Sequence, residues 1–443
     1  MNMNEEGTGR IEPGSPPQPE PRSRSAVPEE FRPPRPEEFA AFAHLEARGF
    51  LHGAPSLATG DALPGPAGPD SRPADAMGSP PYESPRGIFA GGVPVAGLYL
   101  HHFRTLWVDR EIPMEGVGGV VALPEARRRG YTERALAGSL ADMRAREVPL
   151  SFITTPFSYR FYQKMGWGYA FRRSEFTFPT LDALPLGQHA RGEAHFVQSS
   201  SASLRSGGLP DSMDGIYLQA LRSRYHGLAL RDGVLWEKHL RGEKTYAYVW
   251  EGPNGPSGYV ILRSNGPELR ATELVFVDRN ALLGLLGLLG HFDSQARTVR
   301  VELPCDVRLD ALLPEPGEVG IGLKQRGMLR IVDIPRAMAA RSWDTVDTRL
   351  AVHLEVEDAL APWNRGGWDV CLMDGEARVE PNLGKTALAT ARLDISVLSS
   401  LYGGDLTAED ACHLGLIQAD GGAAKALTRL FSAPTRPLHL EWY

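Results

Sequence analysis

The sequence predicts an α/β chain made of two similarly ordered halves followed by a third, α+β unit. Three observations carry this. A sequence of strands, helix and strand runs from Ile88 to Thr154, and the same order returns from Thr245 to Leu303. The first of these helices opens after Arg127-Arg128-Arg129-Gly130, whereas the second opens after Asp278-Arg279-Asn280. From Met328 the rhythm changes to strands followed by short helices, the habit of α+β domains. At 443 residues the chain exceeds one ordinary core and suits two to three domains.

The elements justify this in order. Residues 1–35 are rich in proline, glutamate, arginine and serine and lack an apolar core segment, so a disordered tail is expected rather than a signal peptide. Pro36 to Arg48 reads as a helix opened by proline, with Phe39, Phe42, Ala43 and Leu45 on its apolar side and Gly49 as its stop. Residues 51–86 form a Gly/Pro/Ala/Ser insertion without core material. Strands follow at Ile88 to Ala90, Val93 to Val108 and Val117 to Leu123, with a turn at Gly91-Gly92. Thr132 to Arg146 is helical, burying Leu136, Leu140 and Met143, and Pro149 closes the segment before the strand Leu150 to Thr154 and a short aromatic helix.

The second half reads as strands Thr245 to Trp250, Tyr259 to Arg263 and Leu269 to Val277, helix Ala281 to Phe292 and strand Thr298 to Leu303. In the last unit, Leu329 to Val332 is a strand, Asp333 caps a helix to Arg341, and Leu350, Val352, Leu354 and Val356 alternate as a half-buried strand. Further strands fall near Trp368 to Met373 and Thr386 to Leu393, then helices at Ser396 to Tyr402, Thr407 to Leu414 and Ala423 to Phe431. The expected domains are 36–184, 185–325 and 326–443.

A net charge of −7 argues against nucleic-acid partners. No apolar stretch reaches the length of a membrane span. Cys305, Cys371 and Cys412 stand alone without metal-ligand spacing and read as reduced core thiols of a cytoplasmic protein. His101 and His102 point to opposite faces of a strand, so no metal site is expected.

The chemistry concentrates at two places. A strand ending at Leu123-Pro124 and running into a glycine-marked helix start presents unpaired N–H groups at the positive end of a helix, a ready anion site that three arginines reinforce. Further on, Phe161-Tyr162-Gln163-Lys164-Met165-Gly166-Trp167-Gly168 is an aromatic-rich segment in which Tyr162, a phenol able to donate a proton, stands four residues before Gly166. Tyr159 is a nearby rival without the glycine spacing.

Arg127-x-x-Gly130-x-Thr132 resembles the R/Q-x-x-G-x-G/A loop that holds the pyrophosphate of acetyl-coenzyme A in GNAT acyltransferases, with threonine at the last small position. With the Tyr162 segment and the stretch Met328 to Ala337, the chain from about Phe31 is similar to the enhanced-intracellular-survival (Eis) aminoglycoside N-acetyltransferases. The resemblance implies tandem GNAT-like domains, only the first binding acetyl-CoA, and a sterol-carrier-like C-terminal domain. It implies that Val120, Val121 and Ala122 bind the pantetheine arm through backbone groups. Arg128, Arg129, Gly130, Tyr131, Thr132 and Glu133 form the pyrophosphate turn, and Phe157 and Ser158 lie at the reactive end. Tyr162 is then the general acid and the α-carboxylate of Tyr443 the general base. The implied acceptors are primary amines of aminoglycoside, polyamine or lysine type, and the implied assembly is a homo-oligomer, commonly a hexamer.

The end of the chain, Leu438-His439-Leu440-Glu441-Trp442-Tyr443, alternates and finishes in two aromatics, which suits burial. Glu441 is a candidate to hold a cationic amine. A free α-carboxylate with pKa ~3.5 faces an ammonium near ~10, so the base requires a partly closed pocket or a water relay. Two other readings stand beside this one: an N-acyltransferase for longer acyl groups, and a non-enzymatic lipid-binding protein.

Overall fold

The structure, a computed structural model, describes residues 28–50, 83–155, 158–197, 211–240, 244–343, 349–384, 386–420 and 422–441. Most of the expected tail and insertion, together with Phe157, Trp442 and Tyr443, lies outside the described residues.

The first half comprises β1 (Glu29–Arg32), α1 (Phe39–Phe50), β2 (Glu83–Ala90), β3 (Val93–Trp107), β4 (Arg110–Ala122), α2 (Tyr131–Ala145), β5 (Leu150–Ile153), α3 (Tyr159–Lys164), β6 (Gly168–Pro179) and α4 (Thr180–Gly187). Strand β1 falls inside the stretch expected to be disordered. It pairs antiparallel with β2, and Phe31 lies against α2, where a Cβ on Gly138 would come within 2.6 Å of its ring. An aromatic seated on a bare glycine anchors what composition alone reads as tail. Strand β2 likewise begins at Glu83, within the expected insertion. Helix α1 runs through Gly49 instead of stopping there, because a Cβ at that position would meet Val121 Cγ2 at 1.8 Å. That glycine serves close packing of α1 on β4.

The second half holds β7 (Glu193–Val197), α5 (Asp211–Leu221), β8 (Tyr225–His226), β9 (Leu228–Ala229), α6 (Gly233–Leu240), β10 (Thr245–Gly252), β11 (Gly255–Asn265), β12 (Glu268–Phe276), α7 (Arg279–Gly290), β13 (Thr298–Pro304) and β14 (Gly320–Ile331). Among the described residues, thirteen strands form one sheet in the order β1-β2-β3-β4-β5-β14-β6-β13-β12-β11-β10-β7, with β9 added on β3. The two halves therefore share a continuous sheet joined by β6 and β13, which pair antiparallel. Strand β14 enters this sheet between β5 and β6. Its run Met328 to Val332 is buried on both faces, which explains its apolar character better than an edge strand of the third unit would.

The third unit has α8 (Ile334–Ala340), β15 (Leu350–Glu357), β16 (Gly366–Met373), β17 (Glu376–Pro381), β18 (Thr390–Asp394), α9 (Ile395–Gly403), α10 (Ala408–His413), β19 (Ile417–Ala419), α11 (Ala423–Phe431) and β20 (Arg436–Pro437). Its five-stranded sheet runs β17-β16-β15-β18-β19. Asp333 caps α8 by accepting from the Arg336 N–H at 3.1 Å. The core of this unit continues into Trp107, Leu150, Phe152 and Phe171 of the first half. The cysteines are not core residues: Cys305 and Cys371 are exposed and Cys412 is half-buried, all three as free thiols. His101 pairs with Glu83 at 3.1 Å and His102 with Glu115 at 2.9 Å.

Candidate active site

Strand β4 runs along β3 to Ala122 but pairs with β5 only from Met114 to Gly116. Beyond Gly116 the two parallel strands part. Val120, Val121 and Ala122 follow on the opened edge, just after Gly119, whose φ of +56° marks a break in the regular pleat. A Cβ on Gly119 would meet Tyr99 Cδ2 at 2.7 Å, so glycine is required there on two counts. Backbone groups on such an edge are available to an extended ligand.

After β4 a short turn leads to Arg127, Arg128 at φ +61° and Gly130 at φ +77°, and Gly130 begins α2. The first helical bond is from the Arg134 N–H to the Gly130 carbonyl at 3.0 Å. The N–H groups of Tyr131, Thr132 and Glu133 thus stand at an open helix end. No side chain caps it. A Cβ on Gly130 would touch nothing within 4 Å, so the glycine is dictated by φ while the space beside it is clear. Arg128 and Arg129 are exposed at this turn. Arg127 instead turns back to the Gly49 carbonyl at 2.8 Å. The Tyr131 hydroxyl donates to Glu29 at 2.8 Å, which leaves its backbone N–H as the group facing the turn. An open helix end, two exposed guanidiniums and a parted strand edge fit a pyrophosphate and its pantetheine arm.

Beyond β5, Ser158 at φ +65° starts α3. Tyr162 packs edge-on to Trp167, ring centroids 6.4 Å apart, and among the described residues its hydroxyl has no hydrogen-bond partner. Burial pushes the Tyr162 phenol up to about 12, so it stays protonated at neutral pH. The rival Tyr159 is committed elsewhere, donating to the Gln325 carbonyl at 2.8 Å. Gly166, four residues after Tyr162, has φ +93°, and a Cβ there would collide with the Arg330 guanidinium. Arg330 is fully buried and bonds Asp358 at 2.7 and 2.8 Å. The glycine of the aromatic motif thus seats α3 against a buried ion pair.

Comparison with known proteins agrees with this geometry. The acetyltransferase (GNAT) domain family matches residues 30–170, a second GNAT family matches 227–331, and the sterol carrier protein domain family matches 334–439. The chain is a tandem-GNAT acyltransferase. An uncharacterized N-acetyltransferase of Streptomyces griseus is 25% identical over 362 residues, covering 74% of this chain and 81% of its own. Among solved structures, a GCN5-related N-acetyltransferase from Anabaena variabilis has TM-score 0.75 at 22% identity, covering 94% of this chain and all of its own. Eis1 from Mycobacterium abscessus shares the fold with TM-score 0.69 at 23% identity and the same coverage. GNAT domains take acetyl-CoA as co-substrate, and two of them set aside a purely lipid-binding role. Among the described residues no helix is long and apolar enough to cross a membrane.

In the second half of this acyltransferase the corresponding junction is closed. Asp278 caps α7, accepting from the Ala281 N–H at 2.8 Å. Asn280 ties the adjacent loop down through both the N–H and the carbonyl of Arg191. Strands β12 and β13 also part, after Ala271 and Val301. The C-terminal segment fills that gap: Leu438 and Leu440 share a core with Val275, and a cavity of only about 20 Å³ remains beside them. On its other side His439 packs at a tilt against Phe152 with centroids 4.0 Å apart and bonds the Gly227 carbonyl at 2.7 Å. The segment therefore threads the seam between halves.

Where it emerges lies a cleft of about 650 Å³, lined by Thr154, Thr155 and Tyr159 of the first half and by Arg263, Arg270 and Glu302 of the second. Glu441 reaches this cleft but is not available to a substrate ammonium. It is 2% exposed, accepting from Arg231 Nε at 2.8 Å and paired with His239 Nε2 at 2.8 Å. The Arg231 guanidinium, with the His239 hydrogen bond, holds its carboxyl far below the usual range despite burial. Arg231 also spans Glu273 at 2.7 and 2.8 Å. Sequence reasoning misses Arg231, Glu273 and Arg173; a glutamate set among the alternating apolar residues of β12 was the available signal.

Proposed function

We propose that the protein is an N-acetyltransferase that moves the acetyl group of acetyl-CoA to a primary amine by direct attack in a ternary complex. The observation that carries the proposal is the conjunction of the open start of α2, the parted edge of β4 and the half-buried, protonated phenol of Tyr162. Acetyl-CoA supplies an activated acyl carbon and a thiol leaving group. Backbone N–H groups of α2 with Arg128 and Arg129 hold the phosphates. Val120, Val121 and Ala122 align the pantetheine arm, with Phe157 and Ser158 at its reactive end. As the amine nitrogen bonds to the acetyl carbon and the carbon–sulfur bond breaks, Tyr162 gives its proton to the departing sulfur.

The amine loses its proton to the α-carboxylate of Tyr443 in this reading. The path of Leu438 to Glu441 into the cleft supports that role, and so does the Eis resemblance. An extension of a few residues after Tyr443 should leave CoA affinity intact and lower turnover sharply. Aminoglycosides, polyamines and lysine side chains are the acceptors this resemblance brings. A cytoplasmic homo-oligomer, a hexamer by the same resemblance, belongs to the reading and is tested by light scattering. The direct test of the function is release of free thiol from acetyl-CoA across a panel of amines, repeated with longer acyl thioesters. Thiol release without N-acetylated product would overturn it.

A further inference from the structure

The cleft between the halves has an unusual charge balance for an amine site. Its carboxylates Glu273, Glu302 and Glu441 are each already bonded to arginine. Glu302 alone serves Arg326 and Arg270, with Arg173 Nη1 a third cation at 3.6 Å. Arg173 is 8% exposed, lines the cleft, and among the described residues its Nε has no hydrogen-bond partner. Arg263 and Arg270, which also line it, stand directly opposite one another across β11 and β12. Like charges placed face to face repel, and a buried guanidinium without full compensation is costly. Both costs fall when an anion enters. Burial also lowers the Arg173 pKa, in line with the unpartnered Nε.

We propose that the acceptor is a small amine carrying its own oxyanion, a carboxylate or phosphate, which Arg173, Arg263 and Arg270 bind while the amine points to the acetyl group. This rests on the acetyltransferase reading above and narrows its substrate class away from polycations. The amine still forms the nitrogen–carbon bond and surrenders its proton as described; the oxyanion only positions it.

The test uses the full chain and matched pairs: β-alanine against β-alaninamide, phosphoethanolamine against ethanolamine, with spermidine as a polycation. With acetyl-CoA, kcat/KM for the acidic member of at least one pair should exceed its neutral partner by at least about tenfold, the scale of one charge-assisted hydrogen bond. The pair that shows it tells carboxylate from phosphate. Arg270→Gln should shrink that ratio to within about threefold of one while CoA affinity holds. Because this change removes one of two opposed cations, the fold is expected to persist. Equal or better rates with neutral amines or spermidine would overturn the proposal. Calorimetry of the same pairs on CoA-bound protein reads the preference without turnover. A preserved binding preference with no acetyl transfer would sink the acetyltransferase reading and leave the anion site standing.

Discussion

The starts of α2 and α7 occupy the same place in two copies of one fold, and one is open where the other is capped. At α2 the chain enters through Gly130 at φ +77°, with no capping side chain and with Arg128 and Arg129 exposed beside it. At α7 the carboxylate of Asp278 accepts the Ala281 N–H at 2.8 Å, and Asn280 bridges to Arg191. A carboxylate at a helix start satisfies the same N–H groups that a phosphate would use and places negative charge where the phosphate would sit. The strand edges differ in parallel. In the first half the strands simply part beyond Gly116 and Phe152, whereas the gap beyond β12 and β13 receives Leu438 and Leu440. On the proposed function, cofactor capacity follows a handful of residues at a junction and not the fold that both halves share.

The largest expected effect breaks the comparison at its chemistry. After β5 comes a helix bearing Tyr162; after β13 comes Asp306, bonded to Arg224 at 2.7 Å and to Tyr225 at 2.8 Å. Tyr162→Phe should lower kcat by ~10²–10⁴-fold with CoA affinity unchanged, measured by steady-state thiol release. Tyr159→Phe should cost far less, since that hydroxyl is spent on Gln325.

Next in size is the plug of the second half. Glu441→Gln leaves Arg231 with Glu273 as its remaining carboxylate in a fully buried site, a loss of about 3–5 kcal/mol by denaturant unfolding at neutral pH. The pH dependence has a definite sign. The Glu441 pKa is depressed in the folded state, so its contribution is complete above the unfolded value of about 4.3 and fades as pH falls below it. Parent and variant should therefore converge in acid. A gap that widens there would contradict the assignment.

The smallest effect sharpens the contrast between helix starts. Asp278→Ala removes only a cap and should cost about 1 kcal/mol of stability without creating CoA binding in the second half.

Local rules reached far into this molecule. The stripe Leu136, Leu140 and Met143 is fully buried, and the cap Asp333 holds its helix, because these features depend on near neighbours in the chain. The glycine turn before α2 and the short aromatic helix bearing Tyr162 were legible for the same reason: each is a run of adjacent residues. What escaped depends on distant pairing. Strand β14 finds its partners in β5 and β6, roughly 150 residues earlier. Glu273 shares the sequence parity of Leu269 and Ala271, yet a bulge at Thr272 turns it to the opposite face, towards Arg231. No alternation rule crosses such a bulge. The reading of Glu441 as a substrate ligand failed similarly, since its partners Arg231 and His239 lie some 200 residues away.

Calorimetric titration of CoA into the parent and two charge reversals decides whether only the first half holds acetyl-CoA. One CoA per chain is expected, with binding lost in Arg128→Glu and kept in Arg279→Glu. Two sites per chain, or equal losses at the two arginines, would contradict it.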